Sequence, residues 1–131
     1  MVLSMVAKIL KDEARDTDLV GRFGGEEFIC ILNATDTAGA LVFCERFRKK
    51  IETAKFVHEG VTIPVTISMG SATSVKSSVN GTDPVAVMKE MVSRADTALY
   101  FAKANGRNRC CQFETLPGSD TPDTKAGKKA A

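Results

Sequence analysis

No run of apolar residues in this 131-residue chain approaches the roughly 18 needed to cross a membrane. Met1 to Leu10 is interrupted by Ser4 and Lys8 and has neither a basic start nor a small-residue cleavage site, so it reads as an amphipathic helix and a poor signal peptide. The expected location is the cytoplasm. Charge of one sign is scarce too: 18 Lys and Arg against 16 Asp and Glu leave a net +2. That is too little to draw a nucleic acid or a membrane surface to the molecule as a whole, so phosphate binding must be local. There is one histidine, His58, and none of Cys30, Cys44, Cys110 and Cys111 stands in a CxxC pair. This set does not supply a zinc site. Cys30 and Cys44 sit in apolar runs and read as small core hydrophobes, and His58 as a surface residue in a turn.

What is present suits one folded domain, with 44% hydrophobic and 26% charged residues and no internal repeat. Val2, Leu3, Val6, Ile9 and Leu10 recur at helical spacing, which predicts a helix over residues 2–14. Residues 18–23 and 26–32 read as strands separated only by Gly24-Gly25, and a two-residue turn with positive φ at both positions is expected there. Asp36 caps a second helix reaching residue 54, with Leu41, Cys44, Phe47 and Ile51 as its apolar stripe. A short strand at Lys55 to Val57 turns back through His58-Glu59-Gly60, and the β-branched stretch Val61 to Ala72 reads as strand. Residues 74–82 read as loop. Asp83-Pro84 begins a third helix with Val87, Met91, Ala95, Leu99 and Ala102 on one face, stopped by Gly106. Asn108 to Phe113 makes a last short strand. Residues 114–131 lack apolar period and are expected to be a disordered tail beside a domain of residues 1–113.

Glu26 and Glu27 follow the glycines directly. On a strand they face opposite sides, Glu26 with Phe28, Cys30 and Leu32, so they do not share a proton. A carboxylate beside bare Gly-Gly backbone suits a metal ion and a phosphate chain: the glycines admit the ligand, and oxygen suits Mg²⁺. Taken alone, the same residues are also an ordinary hairpin with charged flanks.

Gly24-Gly25-Glu26-Glu27-Phe28, the lead-in Asp18 to Phe23, the later strand Thr66-Ile67-Ser68-Met69-Gly70, and the run Asp96 to Asn108 together resemble the GGDEF family of diguanylate cyclases over residues 1–113. The resemblance implies an α/β (α+β) fold of the nucleotide-cyclase palm type, with a central antiparallel sheet and flanking helices. It implies a homodimer in which each domain holds one GTP. The 3′-hydroxyl of each GTP attacks the α-phosphorus of the other, giving cyclic di-GMP and two pyrophosphates, with Mg²⁺ or Mn²⁺ as cofactor. By position, Glu26 becomes the metal ligand and a possible base, Glu27 a second catalytic acid, and Gly24 and Gly25 the room for substrate. Lys103 and Arg107 become phosphate contacts, although cations at a helix end also complement its dipole.

Arg15 and Asp18 form an RxxD pattern five residues before the first motif glycine, which in the family marks an inhibitory product site. Arg46 matches a secondary arginine of that site, and Arg48 is a near alternative. The family's first strand, with a metal-binding Asp, and the following segment, with an Asn and an Asp that read guanine, have no counterpart here. The sheet is therefore expected to be incomplete and the chain to have little activity alone. A non-catalytic cyclic di-GMP-binding module and a non-functional remnant are the competing readings.

Overall fold

The computed structural model describes residues 2–74 and 83–118 of the chain. The predicted loop over 74–82 lies outside them except for Ser74, as do residues 119–131 of the predicted tail.

Helix α1 is Val2–Glu13 and buries Val6 and Leu10, one turn apart. Asp36 starts α2, Thr37–Thr53, by accepting the Gly39 N–H at 2.8 Å, which satisfies one orphan donor of the first turn. The buried stripe of α2 is Ala40, Phe43, Cys44, Phe47 and Ile51. Leu41, expected on it, is exposed, because Ala40 and Phe43 hold the helical positions that line up with Cys44, Phe47 and Ile51. Helix α3 is Pro84–Ala104, with Asp83 accepting the Val85 N–H and proline in the first turn.

The strands are β1 (Leu19–Arg22), β2 (Phe28–Ile31), β3 (Phe56–His58), β4 (Val61–Ile63), β5 (Met69–Ser71) and β6 (Cys110–Gln112). β1 and β2 are antiparallel, with Val20 opposite Cys30, and β3 and β4 are antiparallel with His58 opposite Val61. β5 and β6 are parallel, with Gly70 opposite Cys111, as a crossover through α3 requires. The expected central sheet is thus present as three two-stranded pairs among the described residues, two antiparallel and one parallel.

The single strand expected over Val61 to Ala72 is divided. Pro64 has no N–H to give a ladder, and residues 64–68 have no strand assignment. Val65 and Ile67 nonetheless pack against the core, so the period-two alternation is kept without a partner. The helices and strands close over Val6, Leu10, Phe43, Cys44, Phe47, Ile51 and Phe56. Ile51 and Phe56 are fully enclosed, and each such burial contributes about 1.5–3 kcal/mol. Helix α3 packs on β5 and β6 through Ala98 and Ala102, both fully buried. A Cβ on Gly70 would collide with Ala95 O and Leu99 N, so this glycine sets how closely α3 lies on β5.

Beyond β6, Phe113–Thr115 form a 3-10 turn, and Glu114 accepts the Thr73 N–H at 2.9 Å. Among the described residues no helix is long and apolar enough to cross a membrane.

Candidate functional site

The turn between β1 and β2 is wider than the two-residue hairpin expected. Phe23 N–H donates to Glu27 O at 2.8 Å, leaving Gly24, Gly25 and Glu26 as the loop, and neither glycine is left-handed. The left-handed two-residue turn is instead at Glu59 and Gly60, with φ of 51° and 77°. Glu26 and Glu27 lie before β2, not on it, so strand alternation does not set the faces they occupy. Arg22 fixes the loop: its guanidinium donates to Gly24 O at 3.3 Å and to Gly25 O. The only mark of that contact in the sequence is an arginine two residues before a glycine pair. A Cβ on Gly25 would meet nothing within 4 Å, and one on Gly24 would meet only Glu27 Oε1 at 3.8 Å.

The fold brings α3 to this loop. Lys103 Nζ, in the last turn of α3, lies 3.9 Å from Glu27 Oε2. Both side chains are partly exposed, so the pair is weak as a source of stability. Glu26 is exposed. Gly106 then turns the chain with φ of 118°, and Arg107 and Asn108 are both left-handed at 61° and 45°. Arg107 N–H donates to Ala102 O at 3.0 Å, and its side chain is exposed. Among the described residues no three or more His, Cys, Asp or Glu side chains gather as a metal cage. Two adjacent carboxylates beside open backbone still fit an ion of the Mg²⁺ type, which keeps waters and takes phosphate oxygens for its remaining ligands.

Arg15, Asp18 and Arg46 come together on one open cleft of about 480 Å³, shared with Glu13 and Phe43. Arg15 Nη2 donates to Asn33 O at 2.6 Å and Thr35 Oγ1 at 2.7 Å, and lies 3.3 Å from Asp18 Oδ1. Asp18 is buried and also accepts the Arg15 and Asn33 N–H groups at 2.9 and 3.0 Å. Burial is the largest influence on its carboxyl and opposes the charge. The two N–H groups and the guanidinium together outweigh it and hold the pKa below the usual carboxylate value. Asp18 is therefore a structural acceptor as well as a cleft residue. Arg46 pairs with Glu13. Arg48, the near alternative, is tied to Glu45, Glu52 and Asn108 and is not a cleft residue.

The four cysteines are free. Cys44 is buried, and burial pushes the Cys30 thiol up to about 11, in keeping with core packing.

The family described as "Diguanylate cyclase, GGDEF domain" matches residues 1–109. Diguanylate cyclase A of Treponema denticola is 46% identical over 109 residues, covering 83% of this chain and 28% of that protein. The chain thus spans less than a third of that relative. The GGDEF domain of DgcB from Caulobacter crescentus, solved in complex with c-di-GMP, superposes with a TM-score of 0.75 at 26% identity, over 86% of this chain and 63% of that one. The active GGEEF domain of a diguanylate cyclase from Vibrio cholerae superposes with a TM-score of 0.69 at 33% identity, over 86% and 66%. Matched through most of its length and sharing their mixed α/β fold, the chain belongs to the GGDEF domain family of diguanylate cyclases.

Proposed function

We propose that this chain forms part of a diguanylate cyclase, in which two such domains each hold one GTP and together make cyclic di-GMP and two pyrophosphates. The observation that carries the proposal is at Gly24 and Gly25. Neither has a backbone conformation that needs glycine, and a side chain on Gly25 would enter open space. The fold does not explain the pair; a ligand resting on that backbone does.

In this reading the loop receives the triphosphate, with its carbonyls turned aside by Arg22. Lys103 and Arg107 grip phosphate oxygens through charge-assisted hydrogen bonds. Lys103, 3.9 Å from Glu27, exchanges that loose contact for substrate. Glu26 and Glu27 are the acids of the site. Glu26 would hold Mg²⁺ or Mn²⁺, which when bound neutralises the triphosphate and makes the attacking hydroxyl more acidic. Glu26 is also the carboxylate available to accept that hydroxyl's proton. The cleft of Arg15, Asp18 and Arg46 is the inhibitory site for cyclic di-GMP, its arginines meeting phosphate or guanine edges. The site belongs to a cytoplasmic signalling domain.

Gly25→Ala tests the loop assignment in an enzyme that contains residues 1–113. Unchanged thermal stability with turnover reduced at least about 10-fold is expected, since surface changes usually stay within ~0.5 kcal/mol. Stability and activity falling together would make the glycine structural.

A further inference from the structure

Both arginines at the cleft are tied to a carboxylate through Nε, but they differ in what they have left. Arg15 Nε faces Asp18 Oδ2 at 3.4 Å, and its Nη2 is already committed to Asn33 O and Thr35 Oγ1. Arg46 gives Nε to Glu13 Oε1, and its guanidinium lies over the Phe43 ring at 5.8 Å from the centroid. Neither of its η nitrogens has a hydrogen-bond partner among the described residues.

Glu13 is suited to hold a partner still. It is the last residue of α1, and its side chain is 8% exposed against 50% for Arg46, so the acid is the fixed member. Its second oxygen accepts from Lys50 Nζ at 2.6 Å, one turn beyond Arg46 on α2. Lys50 first and Arg46 second hold its pKa below the usual value, so it stays ionised at neutral pH. A charged, doubly bonded and nearly buried acid has little freedom to swing.

We propose that Glu13 is a positioning residue of the cleft: with Phe43 it fixes the Arg46 guanidinium so that both η nitrogens face an incoming phosphate or guanine edge. This rests on the reading of the cleft as a cyclic di-GMP site. Fixing a long side chain before binding removes part of the ordering cost that the ligand would otherwise bear. A carboxylate merely near the cleft would act in the opposite direction, by repelling an anionic ligand.

The test is calorimetric titration of cyclic di-GMP into the full chain and its variants at one salt concentration, with thermal melts as the folding check. Glu13→Ala is expected to weaken binding about 3- to 10-fold. In an Arg46→Ala background the same change is expected to have no further effect. A purely structural role for Glu13 would give the same loss in both backgrounds, and that result overturns the proposal. Glu13→Gln keeps an acceptor for Arg46 Nε and covers the case in which Glu13→Ala does not fold. It is expected to bind more weakly than wild type but better than Glu13→Ala. Binding by Glu13→Gln equal to or tighter than wild type overturns the proposal, because the carboxylate then competes with the ligand or is irrelevant to it. Arg15→Ala separates the two levels. A loss of roughly 10- to 100-fold supports the cleft reading, and an unchanged Glu13→Ala then refutes only the positioning role. No change with Arg15→Ala, or no binding by wild type, refutes the cleft reading and the positioning role together.

Discussion

Asn108 Nδ2 donates to Glu52 Oε2 at 2.7 Å, across 56 residues of sequence. Arg48 Nη1 donates to Asn108 Oδ1 at 3.0 Å, and the Asn108 N–H donates to Ser68 Oγ at 3.1 Å. The amide thus fastens to α2 a turn in which two consecutive non-glycine residues, Arg107 and Asn108, are left-handed. Such strain persists where its surroundings enforce it, and here it sets where Arg107 is presented.

Asn108→Ala removes these side-chain bonds and keeps the unfavourable φ, so it is expected to cost about 1.5–3 kcal/mol. Asn108→Gly removes the same bonds but relieves the left-handed cost of about 1–2 kcal/mol, so it should be the more stable of the two. Denaturant unfolding of both checks this. Two variants as stable as wild type would show that the clamp does not hold the turn.

Gly70→Ala should be among the most damaging single changes in the chain. The added methyl meets backbone of α3 at Ala95 and Leu99, which cannot rotate away as a side chain can. A cost of about 3 kcal/mol or more is expected, at the upper end for overpacking. A melting temperature within a degree of wild type would mean that α3 does not rest on β5 as described.

Acid should unfold the protein through identifiable groups. Lys50 and Arg46 lower the pKa of Glu13, Arg48 lowers that of Glu45, and Asp18 is lowered by its hydrogen bonds against burial. A carboxyl whose folded pKa lies below its unfolded value stabilises fully above the unfolded pKa, and the contribution is lost as pH falls through the folded one. Stability should therefore be level above about pH 5 and fall steeply below about pH 4. Glu13→Gln should make that fall shallower. Equal acid slopes for the two proteins would mean that Glu13 contributes nothing to the acid transition.

The parts legible in the sequence are those fixed within a few residues. Asp36 and Asp83-Pro84 announce their helices because a cap acts on the next turn, and the apolar periods place α1 and α3. The shape of the glycine turn was not legible. A glycine pair permits a left-handed turn without requiring one, and Glu59-Gly60 took that geometry instead. The division of the strand at Pro64 and the pairing of β5 with β6 depend on which partners are near, which period alone does not record. At the site, the motif letters pick out Gly24 to Phe28, Lys103 and Arg107. Glu13 and Glu52 hold partners 33 and 56 residues away and carry no local signal, while Arg22 and Phe43 hold near neighbours in the chain through contacts that residue type alone does not announce.

Alone, the 131-residue chain is expected to convert GTP slowly. Glu26 and Glu27 are the carboxylates at the loop, and among the described residues no three or more His, Cys, Asp or Glu side chains gather to hold a metal. Imperfect positioning of metal and substrate costs on the order of 10²-fold. Abundant cyclic di-GMP from purified chain, GTP and Mg²⁺ would show that these groups suffice.

If Gly24, Gly25, Glu26 and Glu27 serve cyclase chemistry, they should do so within a longer relative. The most direct measurement replaces the matching stretch of Treponema denticola diguanylate cyclase A with residues 1–113 of this chain, and follows cyclic di-GMP and pyrophosphate from GTP and Mg²⁺. The expected result is one cyclic di-GMP for every two pyrophosphates, and loss of both products in Glu26→Gln with folding intact. A folded chimera that makes no cyclic di-GMP, or one in which Glu26→Gln turns over at the unmodified rate, would contradict it.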